Sequence, residues 1–350
     1  MCAIQDAINV PGEFKGRGLS SGSGGIIGMV ELIKEKLDWQ GKYLRIGNII
    51  SPNRCQKFMQ SLSFSILLMA LLACANTENN ANNANQSQFD GQRAYQDVIA
   101  QTAFEERYPG TLGHEQVLAY LSDELIKAGW DVERQTAIIK GKEVYNLIAS
   151  QDDQYPYILL GAHYDNRMYA DQDPEQSLRN SPVPGANDGG SGVAVLLELS
   201  RTLPKNLPIP VRLVFFDAED NGGIGDWDWI LGSTAFVRDM EPLPQSAIIL
   251  DMIGDMDLQV YYERNSDPAI REEIWMAADQ LGYGDVFIRE ERHAMLDDHT
   301  PFLQAGIPAV NVIDFDYPYW HTTQDTVDKV SPTSLQVIGD TITAWLLEQQ

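Results

Sequence analysis

Six short runs rich in β-branched and aromatic residues, at 144–149, 157–162, 210–216, 247–253, 286–289 and 309–313, alternate with helix-like stretches along most of the chain. Among those stretches, 116–128 spaces Val117, Leu121 and Leu125 four residues apart and 192–203 is largely apolar, while 331–347 opens with Ser331 as cap and Pro332 in the first turn. Alternation of this kind predicts a mostly parallel mixed sheet with helices on both faces, a single-domain α/β/α sandwich. No internal repeat or second apolar core interrupts the pattern, so residues 89–350 read as one domain. In such sheets ligands collect outside the carboxyl ends of the strands, and the polar residues just past each run are where chemistry is expected.

Those places carry imidazoles and carboxylates. His163-Tyr164-Asp165 follows the second run, Asp217-Ala218-Glu219-Asp220 follows the third, and Asp251-Met252-Ile253-Gly254 follows the apolar stretch at 247–250. A glycine-rich turn around Asp188, leading into a helix, and the segment Tyr319-Trp320-His321 complete the set. The candidate cluster is thus His163, Asp188, Asp220, Asp251 and His321, with Glu219 beside it. Imidazole nitrogen and carboxylate oxygen are ligands that zinc accepts, and three Asp with two His suffice for two ions if Asp188 bridges them. Asp165 is placed to hold the second ring nitrogen of His163. Glu219 and Asp220, being consecutive, point different ways, so one can bind metal while the other addresses a substrate. Singly, a strand-end Asp is more often a cap or turn former, and the glycines near Asp188 match no phosphate-binding loop. The weight lies in five such positions in order.

Charge narrows the partners. Lys and Arg number 25 against 50 Asp and Glu, a formal net charge of -25, which argues against nucleic acid and anionic membrane surfaces. A substrate presenting a free α-ammonium group suits such a chain better. The three cysteines, Cys2, Cys55 and Cys74, all lie in the first quarter, so no disulfide forms within the remainder. The apolar run at 64–74 is too short to span a bilayer but has the length of a signal-peptide core. It ends in Leu71-Leu72-Ala73-Cys74, which resembles a bacterial lipobox, although Leu72 is less usual there than a small residue. Residues 59–74 are therefore expected to be a lipoprotein-type signal and 75–88, rich in Asn, a disordered linker. Residues 1–58, Gly-rich with a short helix expected at 29–37, read as an extension outside the native protein. The expected product is an exported bacterial protein whose contact with the envelope membrane is a lipid on Cys74.

The segments GAHYD, GANDGGSG, FFDAED, LDMIGD, DDHTPFLQAGIPA and WHTTQDT resemble those of metallopeptidase family 28, the zinc aminopeptidases, and within it the glutaminyl-peptide cyclotransferase branch. The resemblance runs from about Arg107 to the C-terminus. It implies a zinc exopeptidase-like fold, metal ligands at His163, Asp188, Asp220, Asp251 and His321, and Glu219 as general acid/base. Aminopeptidases of the family commonly use two zinc ions, whereas its animal cyclotransferases bind one through the positions of Asp188, Asp220 and His321. Asp220 departs from the usual Glu, changing reach but not ligand type. The cyclotransferase branch further implies that Asp297 joins a hydrogen-bond network with Asp251, that Trp320 walls the pocket, and that Trp227 or Trp229 supplies a second wall, with His299 nearby toward the substrate. Asn311 departs from the His often found at its position. The implied activity is closure of an N-terminal glutamine to pyroglutamate on peptides or proteins with a free N-terminus; aminopeptidase activity is the alternative. A lipid-anchored binding protein with a degenerate site would lack a ligand or the base, and none is missing.

Overall fold

A six-stranded sheet organises the chain in the spatial order β1 (Asp131–Ile139), β2 (Lys142–Ser150), β4 (Val211–Phe216), β3 (Ile158–His163), β5 (Ser246–Asp251) and β8 (Ala309–Ile313). Strands β4, β3, β5 and β8 run parallel, while β2 joins β4 antiparallel and carries β1 as an antiparallel edge. In this computed structural model residues 88–349 are described. The helix expected at 29–37, the signal segment with Cys74 and nearly all of the linker lie outside the described residues.

Strand β3 shows why the sheet forms where it does. All of its residues are buried, and they divide by alternation. Ile158, Leu160 and Ala162 face the larger core with helix α3 (Gly190–Thr202), whereas Leu159 faces Phe216, Phe236 and Phe302 on the opposite side. Burying each of the leucine and isoleucine side chains contributes about 1.5–3 kcal/mol, so a one-residue slip of this strand would forfeit both cores. The larger core also takes in α1 (Gly91–Thr102), α2 (Leu112–Lys127), α5 (Pro268–Gln280) and α7 (Pro332–Glu348). The other face is covered by α4 (Leu231–Asp239) and α6 (Thr300–Gln304). Helix α3 lies flush on the sheet because Gly192 has no side chain; a Cβ there would sit 2.1 Å from the Leu250 carbonyl oxygen. Helix α7 starts as the sequence indicates, with the Ser331 side chain accepting from the Thr333 N–H and Pro332 in the first turn.

Three differences from the sequence reading have physical causes. The run at 247–253 stops being strand at Asp251, because Met252 turns into the left-handed region at φ 47. The run at 286–289 becomes β7 (Phe287–Glu291), which pairs with β6 (Val260–Tyr262) in a separate two-stranded sheet. Strand β1 was not expected: as an exposed edge it buries only Gln135, Ala137 and Ile139. No helix among the described residues is long and apolar enough to cross a membrane.

The chain leaves β3 through α3 to β4 on one side, then returns through α4 to β5 on the other. Winding reverses at β3, and a crevice opens at its carboxyl end, where His163 is the last strand residue.

Candidate active site

Five buried side chains meet in that crevice. His163 Nε2 stands 3.2 Å from Asp188 Oδ1 and 3.3 Å from Asp251 Oδ1. His321 Nε2 stands 2.8 Å from Asp220 Oδ1 and 3.7 Å from Asp188 Oδ2. Two triads result, His163–Asp188–Asp251 and Asp188–Asp220–His321, each with donor atoms within 4.8 Å of one another and sharing Asp188 between them. The donor set fits divalent cations: Asp188 Oδ2 and Asp220 Oδ2 are buried without a hydrogen-bond partner, and mixed imidazole and carboxylate donors are what zinc takes. All five expected ligand positions are thus brought together.

The backbone is strained where these groups leave the scaffold. Ala218 before Glu219, Met252 after Asp251 and His321 itself have φ of 52, 47 and 55, a region L-residues rarely occupy. Such outliers cluster where function holds a side chain in place. Gly189 does the same for Asp188, with φ 78 in a turn where a Cβ would lie 2.8 Å from the His163 ring. Asp165 approaches His163 Nδ1 to 3.4 Å, and it also accepts from the backbone N–H groups of Glu219 and Asp220 and from the side chain of Asn221. It therefore braces the turn carrying both functional carboxyls as well as the imidazole.

Sequence reasoning missed three supports. Asp325 accepts from the N–H groups of Asn187 and Asp188 and so fixes the bridging carboxylate's turn. Asp171 lies 3.5 Å from His321 Nδ1 and forms a two-point ion pair with Arg167, both contacts at 2.8 Å. Arg167 also donates to the Asp220 carbonyl and stacks 4.9 Å from the Trp229 ring. Asp325 stood inside the WHTTQDT segment, so a signal existed; Arg167 and Asp171 sit in an unremarkable loop after β3, with no motif to mark them.

Burial dominates the electrostatics, and crowding of like charges adds to it. Burial, then Asp297, pushes the Asp251 carboxyl up to about 7, and burial, then Asp188, pushes Asp220 up to about 6. Burial raises Glu219 well above the usual carboxylate range; Asp220, Asp297 and Asp298 add to this against the pull of His163. Burial lowers His321, but Asp220, Asp171 and Asp188 outweigh it and lift the imidazole to about 9. A bound dication relieves this crowding, since its own charge becomes the largest in the site.

Beside the triads opens a cavity of about 210 Å³, lined among others by Glu219, Asp251, Asp297, Trp229, Trp320 and His321. The His321 ring stacks on the Trp320 ring, 3.7 Å away centroid to centroid, and on that of Trp229, 6.0 Å away. Asp297 is buried and receives a hydrogen bond from Asn311 Nδ2 at 2.6 Å. Two expected residues are elsewhere. Trp227 packs on Ala137, Ile139 and Leu231 with Lys142 stacked 4.4 Å from its ring, outside the cavity, because the loop turns between it and Trp229. His299 is wholly buried, its Nε2 3.4 Å from Glu263, and does not line the cavity.

A doubly wound mixed sheet with paired carboxylate–imidazole triads at its switch point is the architecture of a zinc exopeptidase-like enzyme. The chain belongs to peptidase family M28, whose model matches residues 145–346. The crystal structure of Tannerella forsythia glutaminyl cyclase is 33% identical with a TM-score of 0.71, the match covering 75% of this chain and 99% of that one. A Zn-dependent exopeptidase from Parabacteroides distasonis is also 33% identical, with a TM-score of 0.70 over 75% of this chain and 99% of that one. Aminopeptidase YwaD from Bacillus subtilis is 30% identical over 208 residues, 55% of this chain and 40% of that protein.

Proposed function

We propose that this protein is a zinc-dependent glutaminyl-peptide cyclotransferase, which closes an N-terminal glutamine to pyroglutamate and releases ammonia. The observation that carries the reading is Asp297, a buried carboxylate lining the same cavity as Glu219 and Asp251 yet belonging to neither metal triad. A carboxylate beyond those a metal needs suits a reaction that redistributes protons over two nitrogens. The cavity, about 210 Å³ and lined by Trp229 and Trp320, is smaller than typical ligand sites and suits one side chain. Similarity to a glutaminyl cyclase over three quarters of the chain supports the same reading.

Asp188, Asp220 and His321 would hold the ion, with His163 and Asp251 able to complete a second position. When bound, zinc supplies Lewis acidity toward an amide oxygen. Glu219 accepts a proton from the substrate's α-amine as that nitrogen bonds to the side-chain carbonyl carbon. The bond from that carbon to the amide nitrogen breaks, and Glu219 returns the proton to the departing nitrogen, which leaves as ammonia. Asp251 and Asp297 hold the two nitrogens by hydrogen bonds while charge shifts between them. No water is consumed.

A second reading, zinc aminopeptidase, is favoured by the two triads sharing Asp188, an arrangement that accommodates two ions. There Glu219 would take its proton from a water attacking the first peptide bond. Mass spectrometry of a Gln-initiated and a Leu-initiated peptide, with and without chelator, separates the two. Ammonia loss from the first with its chain intact is expected; shortening of either by one residue would establish the aminopeptidase instead. We also propose export and acylation at Cys74; labelling with a radioactive fatty acid should depend on that thiol, and equal labelling of Cys74→Ser would refute it.

A further inference from the structure

We infer that Glu263, which lies outside the cavity, is the positioning residue that fixes Asp297 within it. Besides the Asp298 N–H and the Thr300 hydroxyl within its own turn, two supports of Asp297 converge on this one carboxylate. The first is the segment that bears it: Glu263 Oε1 accepts from the Met295 N–H at 2.9 Å, two residues before Asp297, and Oε2 lies 3.4 Å from His299 Nε2, two residues after. The second is the side chain that donates to its carboxylate. Asn311, which donates to Asp297, is held by its own backbone N–H on Ser266 Oγ at 2.9 Å, and that hydroxyl donates to Glu263 Oε2 at 2.8 Å.

The carboxylate is built to be occupied as an anion. Glu263 is 1% exposed and also accepts from the backbone N–H groups of Asn265 and Ser266. Burial alone would raise its carboxyl, but His299 and the amides of Met295 and Asn265 outweigh burial and draw it down to about 2. His299 does not line the cavity, and its contact with Glu263 ties the far side of the Asp297 turn to the same carboxylate. A glutamine at 263 would turn an amide N–H₂ toward backbone donors, leaving at least one of them unpaired.

The inference rests on Asp297 working in turnover, and a double-mutant cycle separates the two ideas. With the zinc-loaded full chain and a Gln-initiated peptide, Asp297→Asn and Glu263→Gln are each expected to lower kcat, the second by roughly tenfold, with zinc content unchanged. In the Asp297→Asn background, Glu263→Gln should lower kcat no further, although it still lowers Tm in both backgrounds. Equal fold-losses in the two backgrounds would overturn the positioning role while leaving Asp297 in the reaction. An Asp297→Asn protein with full kcat would instead sink the role given to Asp297, and this inference with it. Should Glu263→Gln not fold, Ser266→Ala cuts the same link to Asn311 and carries the same cycle: a loss that vanishes in the Asp297→Asn background supports the inference, and a loss that persists overturns it.

Discussion

Asn311 donates from Nδ2 to Oδ2 of Asp297 across 2.6 Å, so the cavity carboxylate is held by an uncharged amide. An imidazole at this position can also donate a hydrogen bond. A hydrogen bond to a charged group contributes about 1.5–3 kcal/mol, or roughly 10- to 150-fold in rate if it is felt in the transition state. Asn311→Leu is therefore expected to lower kcat by at least about tenfold, and Asn311→His to restore most of it. Steady-state kinetics on a Gln-initiated peptide checks this; a Leu variant at full rate would leave the contact without catalytic meaning.

Glu219 borders the triads but belongs to neither. Its replacement by Gln removes the proton acceptor while leaving every proposed ligand in place. General acid–base contributions run to about 10²–10⁴-fold, and a loss of that size is expected with bound zinc unchanged by elemental analysis. Retained turnover would sink both enzyme readings as assigned.

The sheet and most of the site could be read from the chain because both rest on local signals. The run at 309–313 matches β8 residue for residue, and the strand-end rule led directly to His163, Asp220 and Asp251. Contacts between distant segments were harder to read. Trp227 and Trp229 are equivalent on paper, and only the turn of their loop puts one against Lys142 and the other over Gly222, whose missing Cβ makes room for the indole. His299 sits in a motif with two carboxylates, yet its ring turns to Glu263, 36 residues earlier on another sheet's loop. Arg167 and Asp171 show the same limit: nothing in their residue types tells that they close on His321 and Trp229.

Because the triads share Asp188, its loss should damage both at once, whereas loss of Asp251 damages one. Zinc that binds the folded chain alone stabilises it by about 2.7 kcal/mol at a hundredfold excess over Kd. Melting curves should therefore rise with zinc and fall with chelator for the wild type. The dependence should persist in weakened form for Asp251→Asn and vanish for Asp188→Asn. Zinc-dependent melting of Asp188→Asn at wild-type strength would place the metal elsewhere.

Stability in acid should carry the signature of Glu263. Its carboxyl is drawn from an ordinary value of 4.5 down to about 2 in the folded chain. A depressed carboxyl contributes stability that is fully present above the unfolded value and is lost as pH falls through the folded one, so the window runs from about 4.5 down to about 2. The full contribution is on the order of 3 kcal/mol. Other groups act with the opposite sign: Asp314, pushed up to about 7 chiefly by burial, favours the folded chain at low pH and ceases to do so as pH rises toward neutrality. The wild-type curve alone therefore mixes both, and the difference between wild type and Glu263→Gln isolates one. Urea midpoints of the two proteins are expected to differ by a constant amount from neutral pH down to about 5, then converge as the acid window is crossed. The residue of the gap at the acid end measures the hydrogen bonds alone, and a gap that does not narrow below pH 4.5 would mean that Glu263 is not held as an anion.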